Sequence, residues 1–303
     1  MRAEYDWAVK SNPVANVFSA LLPLILAFMQ PTIGGRGPSI AKGLNNFFGS
    51  DTGAEAITKA YASAYLKMDV PPESAIKFLS DTQMWVNREV VLNPAYKSDY
   101  MRAFAGGDPF EVIDFSKPQQ VTQTFNTWVS KATDKHIQTL TDGPLLPSTQ
   151  YVAASALFLN APWSVPFDPA LTMKNATFTG ADGKPVMVEM MSSKSIGQPA
   201  ALIQSDSYSA LALPFGNGEF SLVAIKPETL TADAFRTLIP KMPQIERDVL
   251  QAAKSAVVVR MPPIKFSVSE NLADALSASA LAPLFAAGAN YSGMGRELKN
   301  PLI

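Results

Sequence analysis

Residues able to do chemistry are few in this chain of 303 residues. There is a single histidine, His136, and no cysteine, which excludes cysteine nucleophiles, disulfides and thiolate zinc sites. His136 falls on a segment predicted to be helical, where a lone imidazole reads as a surface or capping residue and not as a general base. No Gly-x-Ser-x-Gly elbow, Walker loop, His-Glu-x-x-His or Gly-x-Gly-x-x-Gly occurs. The "GGRG" at 34–37 follows a predicted helix and is too short to cradle a phosphate, so it reads as a helix C-terminal turn. The 26 acidic residues include no pair in a recognisable acid/base arrangement. An enzyme is therefore disfavoured, and no catalytic, cofactor-binding or metal residue is assigned. Two tripeptides, Asn175-Ala176-Thr177 and Asn290-Tyr291-Ser292, are candidate N-glycosylation sites.

Composition limits what such a chain can be. At 47% hydrophobic and 17% charged it is a globular protein that buries about three quarters of its unfolded surface. Twenty-five Lys and Arg stand against 26 acids. No basic run tracks a phosphate backbone, which argues against nucleic acid as a partner. The thirteen-residue run "VFSALLPLILAFM" (17–29) is too short to span a bilayer. Glu4 and Asp6 precede it and no small-residue cleavage site follows, so it reads as a buried helix, with no membrane partner and no convincing signal peptide.

The elements that must position any site change in kind along the chain. Residues 1–145 are rich in helical periodicity, including Ile40–Phe48, Ala54–Lys67 and a short helix carrying Tyr96, Tyr100 and Phe104. "FLSDTQMWV" and "EVIDF" read as strands between them. The run from Lys117 to Leu140 is a predicted helix with Val121, Phe125, Trp128 and Ala132 on one face and Gln123, Asn126, Ser130 and Lys131 on the other. Residues 146–303 are rich in strand patterns: "YVAASALFLN", "VMVEMM", "SALALPF", "EFSLVAIKP" and "SAVVVRMP". Gly216-Asn217-Gly218 marks a hairpin, and "NLADALSASALAPLF" returns to helix. The expectation is one α+β domain over 1–303, with several helices packed on antiparallel or mixed β-sheets.

Within the strand-rich half, "LFLNAPWSVPFDP" ends an apolar run on Trp163, followed at once by Pro166-Phe167-Asp168-Pro169. Prolines cannot donate to a sheet ladder, so the strand is expected to finish near Trp163, with Trp163 and Phe167 as anchors at a sheet end.

Taken with its neighbours, that stretch resembles the serpin family. In that family a central strand ends in Asn-Ala-x-Tyr-Phe-Lys-Gly-x-Trp. There follow Pro-Phe-Asp-Pro, a Phe before a turn with Asp-Gly, a Val-x-Met-Met strand and a Leu-Pro-Tyr/Phe hairpin. Here these positions are Ser155 to Trp163 (with Phe158), Pro166 to Pro169, Phe178, Asp182-Gly183, Val188 to Met191 (with Met190) and Leu213-Pro214-Phe215. "FNTWVSKATDKHI", with Asn126 and Trp128, looks like the family's Asn-x-Trp-Val helix, and the likeness runs from about Asn16 to Met294.

The departures carry as much weight as the matches. The resemblance puts Ala20 and Pro23 where the family has serines beneath its central sheet, and Ser155 where it has an asparagine of the same cluster, so this polar latch looks degraded. Nothing after Glu297 resembles the family's next central strand, Glu-x-Gly-Thr-Glu-Ala-Ala hinge, bait loop or final strands. The chain is expected to be C-terminally truncated relative to the family. The resemblance implies a serine-type endopeptidase inhibitor whose partner is a protease and whose location is extracellular. Without a bait the chain itself is expected to be non-inhibitory, with no reactive-site residue to name. The alternative is a non-inhibitory binding or carrier protein on the same scaffold. Either would leave sheet edges open to a C-terminal strand donor or to self-association.

Overall fold

A computed structural model describes residues 21–48, 56, 57, 59, 60, 63, 70, 71, 73–104, 110–141, 143–180, 182–265, 271–286, 288–295 and 298. Its elements begin with helices α1 (Leu21–Thr32) and α2 (Pro38–Phe48), then β1 (Lys77–Asn87), α3 (Pro94–Phe104), β2 (Phe110–Ile113), α4 (Pro118–Ala132) and β3 (Tyr151–Asn160). Next come β4 (Met173–Thr179), β5 (Pro185–Ser192), β6 (Gln198–Gln204), β7 (Tyr208–Phe215) and β8 (Phe220–Pro227). The remainder is α5 (Ala232–Leu238), α6 (Met242–Gln251), β9 (Lys254–Val257), β10 (Arg260–Met261), α7 (Ala273–Ser277) and α8 (Ala282–Phe285). These fall into two compact units interleaved in sequence, one of Ala20–Asp69, Phe78–Leu159 and Asn271–Ile303, the other of Met1–Ser19, Val70–Lys77 and Asn160–Glu270.

The first unit holds a sheet of order β2-β1-β3, in which β1 and β2 run parallel with Met84 opposite Phe110. Its core joins Ile25 and Met29 of α1, Leu44 of α2, Met84 of β1 and Tyr96 and Tyr100 of α3 to Leu284, Tyr291 and Met294. The chain leaves α1 through the predicted glycine turn. Gly34 is required there, because a β-carbon would lie 2.1 Å from Cγ of Met294. A second cluster of Trp85, Phe115, Val121 and Phe125 seats α4.

The second unit holds two antiparallel sheets, β10-β5-β4 and β8-β7-β6-β9. The β7–β8 hairpin turns at Gly216 (φ +53°) and Gly218 (φ +103°), conformations that glycine adopts at no steric cost. Helix α6 lies over β6 and β7 and buries Ile245 and Val249 against Ala201, Ala210 and Ala212. The small strand residues leave room for the larger helix ones.

Strand β3 ends at Asn160, near Trp163 as expected, and Trp163 itself makes an isolated bridge to Phe215. Several expectations need correction. The α4 helix stops at Ala132, so His136 is not helical and lies exposed on the turn beyond it. On α4 the buried row is Val121, Phe125, Val129 and Ala132, with Trp128 half-buried at its edge. "SAVVVRMP" is two strands of two sheets, and "NLADALSASALAPLF" is two short helices. Most of Ala54–Lys67, and Ala20, lie outside the described residues.

Candidate functional site

One buried polar residue that the sequence reading passed over ties three elements together. Gln30 lies on the inward face of α1 beside Met29 and is fully buried. Its Nε2 donates to the Ala154 carbonyl of β3 at 3.0 Å, and its Oε1 accepts from the Tyr100 hydroxyl at 2.7 Å. A carbonyl only accepts and the phenol here donates, so the amide orientation is fixed. The backbone oxygen of Gln30 takes the Tyr96 hydroxyl at 2.8 Å. That oxygen is free because the Gly34 amide, its ordinary helical partner, bonds the Pro31 carbonyl instead. One residue thus ties α1 to β3 and to α3. Burial pushes both phenols well above the usual tyrosine range, so they remain neutral hydrogen-bond donors.

The latch position proposed from the sequence is wired differently. Ser155 lies next to Ala154 on β3, but its hydroxyl is buried without a hydrogen-bond partner among the described residues. The hydroxyls of Ser80 on β1 and of Tyr151 at the start of β3 are in the same condition. Pro23 is half-buried in the first turn of α1 and supplies no hydroxyl. The polar link beneath this sheet therefore runs through Gln30 and not through Ser155. The available signal was a single glutamine in the otherwise apolar run "LLPLILAFMQPT".

The other predicted positions separate by unit. In the first, Asn126 accepts the Leu140 amide at 3.0 Å and pins the segment after α4, while the Trp128 indole donates to Asp81 at 3.0 Å. Phe158 packs against the His136 ring, with centroids 4.6 Å apart. In the second unit, Trp163 stacks on Phe215 at 4.4 Å and meets Phe167 edge-on at 5.6 Å. The Pro214 carbonyl accepts the Ser164 amide at 3.0 Å. Asp168 caps a short 3-10 turn by accepting from Ala170, and Pro166 is exposed. Met190 is buried, and Met191 stands opposite Met261. Asn175 on β4 and Asn290 are both exposed, and the Asn290 side chain accepts the Ser292 amide at 3.0 Å.

Comparison with known proteins decides the family. The family model described as serpin (serine protease inhibitor) matches residues 5–302. This chain belongs to the serpin family. Iripin-5 of Ixodes ricinus is 25% identical over 293 residues, covering 95% of this serpin and 72% of the tick protein. Serine proteinase inhibitor 2 of Vaccinia virus (strain Western Reserve) is 26% identical over 250 residues, 80% of this chain and 69% of the viral one. Among solved structures, thyroxine-binding globulin in complex with thyroxine superposes with a TM-score of 0.78 at 17% identity, covering 98% of this chain and 82% of that one. The serpin fold and its α+β make-up follow. Serpins as a family are inhibitors or binding proteins and not enzymes. No helix among the described residues is long and apolar enough to cross a membrane.

Proposed function

We propose that this serpin derives from extracellular serine-type endopeptidase inhibitors and that its 303 residues, taken alone, do not trap a protease. The observation carrying this reading is the Gln30 tie. The family's inhibitory step inserts a cleaved loop as a further strand, for which the central sheet must part. Drawing β3 away from α1 would orphan the Ala154 carbonyl and the Gln30 Nε2 donor, at a cost of about 1–3 kcal/mol for each buried group. The test is incubation with trypsin-like, chymotrypsin-like, subtilisin-like and papain-like proteases, followed by denaturing electrophoresis. No new band is expected, and a single heat-stable adduct of protease plus serpin would overturn the proposal.

A second reading, a binding or carrier protein on the same scaffold, is supported by the likeness to thyroxine-binding globulin. A small apolar ligand that raises the melting temperature of this serpin in proportion to its concentration would favour it. Indifference to a panel of such ligands would count against it.

A further inference from the structure

Along the outer face of α4 runs a groove of about 1000 Å³, bounded on its far side by residues after the helix, among them Gln138 and Pro144. The amides of Gln119, Gln123, Asn126 and Gln138 contribute to its lining, together with hydroxyls such as that of Ser130, and no carboxylate does. Lys131 and Lys135 line it where α4 ends, and neither ammonium has an ion-pair partner among the described residues. Asn126 has its carbonyl oxygen engaged by the Leu140 amide, which leaves its two N–H donors for the groove.

The backbone supplies a second, independent observation. Asp134 and Lys135 both have positive φ, +49° and +66°. Successive non-glycine residues rarely adopt this conformation, and such outliers cluster at ligand clamps. Their turn is held on several sides. The Lys135 amide bonds the Ser130 carbonyl at 2.6 Å, the Thr133 hydroxyl receives the Ile137 amide at 3.0 Å, and the His136 ring nitrogen lies 3.1 Å from the Asp134 carbonyl. The turn brings a second lysine to the cavity that Lys131 also lines.

We propose that this groove binds a phosphate ester of a small polyhydroxylated molecule. Two lysines without counter-ions give a dianion its point charges. Side-chain amides, which both donate and accept, match the alternating capacity of neighbouring hydroxyls. The volume is at the upper end of the usual range for small-ligand sites. The overall charge of −1 supplies no general attraction for anions, so binding must come from this local arrangement. The proposal stands apart from protease inhibition and needs no parting of the sheet.

The test is calorimetric titration of the full chain with glucose 6-phosphate, glucose and inorganic phosphate. Glucose 6-phosphate is expected to bind about tenfold or more tightly than either of the other two. Lys131→Met and Lys135→Met should each weaken it several-fold. Gln123→Ala should weaken glucose 6-phosphate and leave the response to inorganic phosphate unchanged. Lys135→Gly adds a control for folding, because it relieves the positive φ, should keep or raise the melting temperature, and should still lose affinity. Equal affinity for glucose 6-phosphate and inorganic phosphate, meaning an adventitious ion only, would overturn the proposal. So would absence of binding, or binding indifferent to the two lysine variants.

Discussion

Replacing Gln30 by methionine keeps the length and most of the volume of the side chain but removes its amide. The substitution leaves the Ala154 carbonyl and the Tyr100 hydroxyl facing a thioether in place of the amide, in a site closed to water. Each unpaired buried group costs about 1–3 kcal/mol, so the variant should lose about 2–6 kcal/mol. Typical domains have only about 5–15 kcal/mol in total. A second substitution, Tyr100→Phe, removes one of the two orphans. The double variant should therefore be more stable than Gln30→Met alone by about 1–3 kcal/mol, although Tyr100→Phe by itself destabilises the wild type. Urea denaturation of the four proteins of this cycle, monitored by tryptophan fluorescence, measures both quantities. The sign reversal of the Tyr100→Phe effect is the diagnostic result. Should Gln30→Met fall within about 0.5 kcal/mol of wild type, or the two substitutions simply add, the amide is not the tie between α1, α3 and β3.

Two further outcomes follow from packing and burial. Burial raises the phenol pKa of Tyr96, Tyr100, Tyr151 and Tyr291 above the ordinary value of 10.0. Above pH 10 the unfolded chain releases these protons before the folded one does, so stability that is complete below that pH is lost as pH rises, by about 1.4 kcal/mol per pH unit for each such tyrosine. Tyrosinate absorbance of these residues should appear only together with unfolding, and ionisation near pH 10 with the fold intact would contradict the burial. Trp163 and Phe167 are only half-buried, so truncation of either to alanine should cost about 1.5–2.5 kcal/mol, half the usual figure for a fully enclosed aromatic ring. A midpoint unchanged in both variants would mean that their stacking around Phe215 holds nothing together.

Segments whose local signals agree were readable from the sequence. In β3, alternation and a following proline-rich turn both point to Tyr151–Asn160, and Gly216-Asn217-Gly218 marks a hairpin whose backbone needs positive φ. Two segments carrying proline were missed. Pro199 disguises β6, yet it sits where that strand pairs with β9 and not yet with β7. Pro240, in a single 3-10 turn (Ile239–Lys241), and Pro243, in the first turn of α6, look like helix breakers but stand where no amide donor is needed. The candidate site was half legible. Ser155 points to the right strand, but which side chain reaches that strand from α1 depends on tertiary placement, and a lone glutamine in an apolar run does not reveal that it will be enclosed by two phenols.

The passage from β9 to β10 has a consequence for how the chain tolerates change. Lys254–Val257 belongs to one sheet of the second unit and Arg260–Met261 to the other, with only Val258 and Val259 between them. Val259 is clasped at both backbone groups, its amide by the Ser193 hydroxyl and its carbonyl by the Ser193 amide, each at 2.9 Å. Because side chains alternate along a strand, this two-residue link fixes the parity of one sheet relative to the other. Insertion or deletion of one residue here would turn Arg260 towards the side now taken by Met261, reversing the two faces of β10 while leaving every β9 side chain in place. Loop length can drift elsewhere in this unit, but here the count of residues is itself a structural constraint, and homologous sequences that fold this way should vary in composition at the link and not in length.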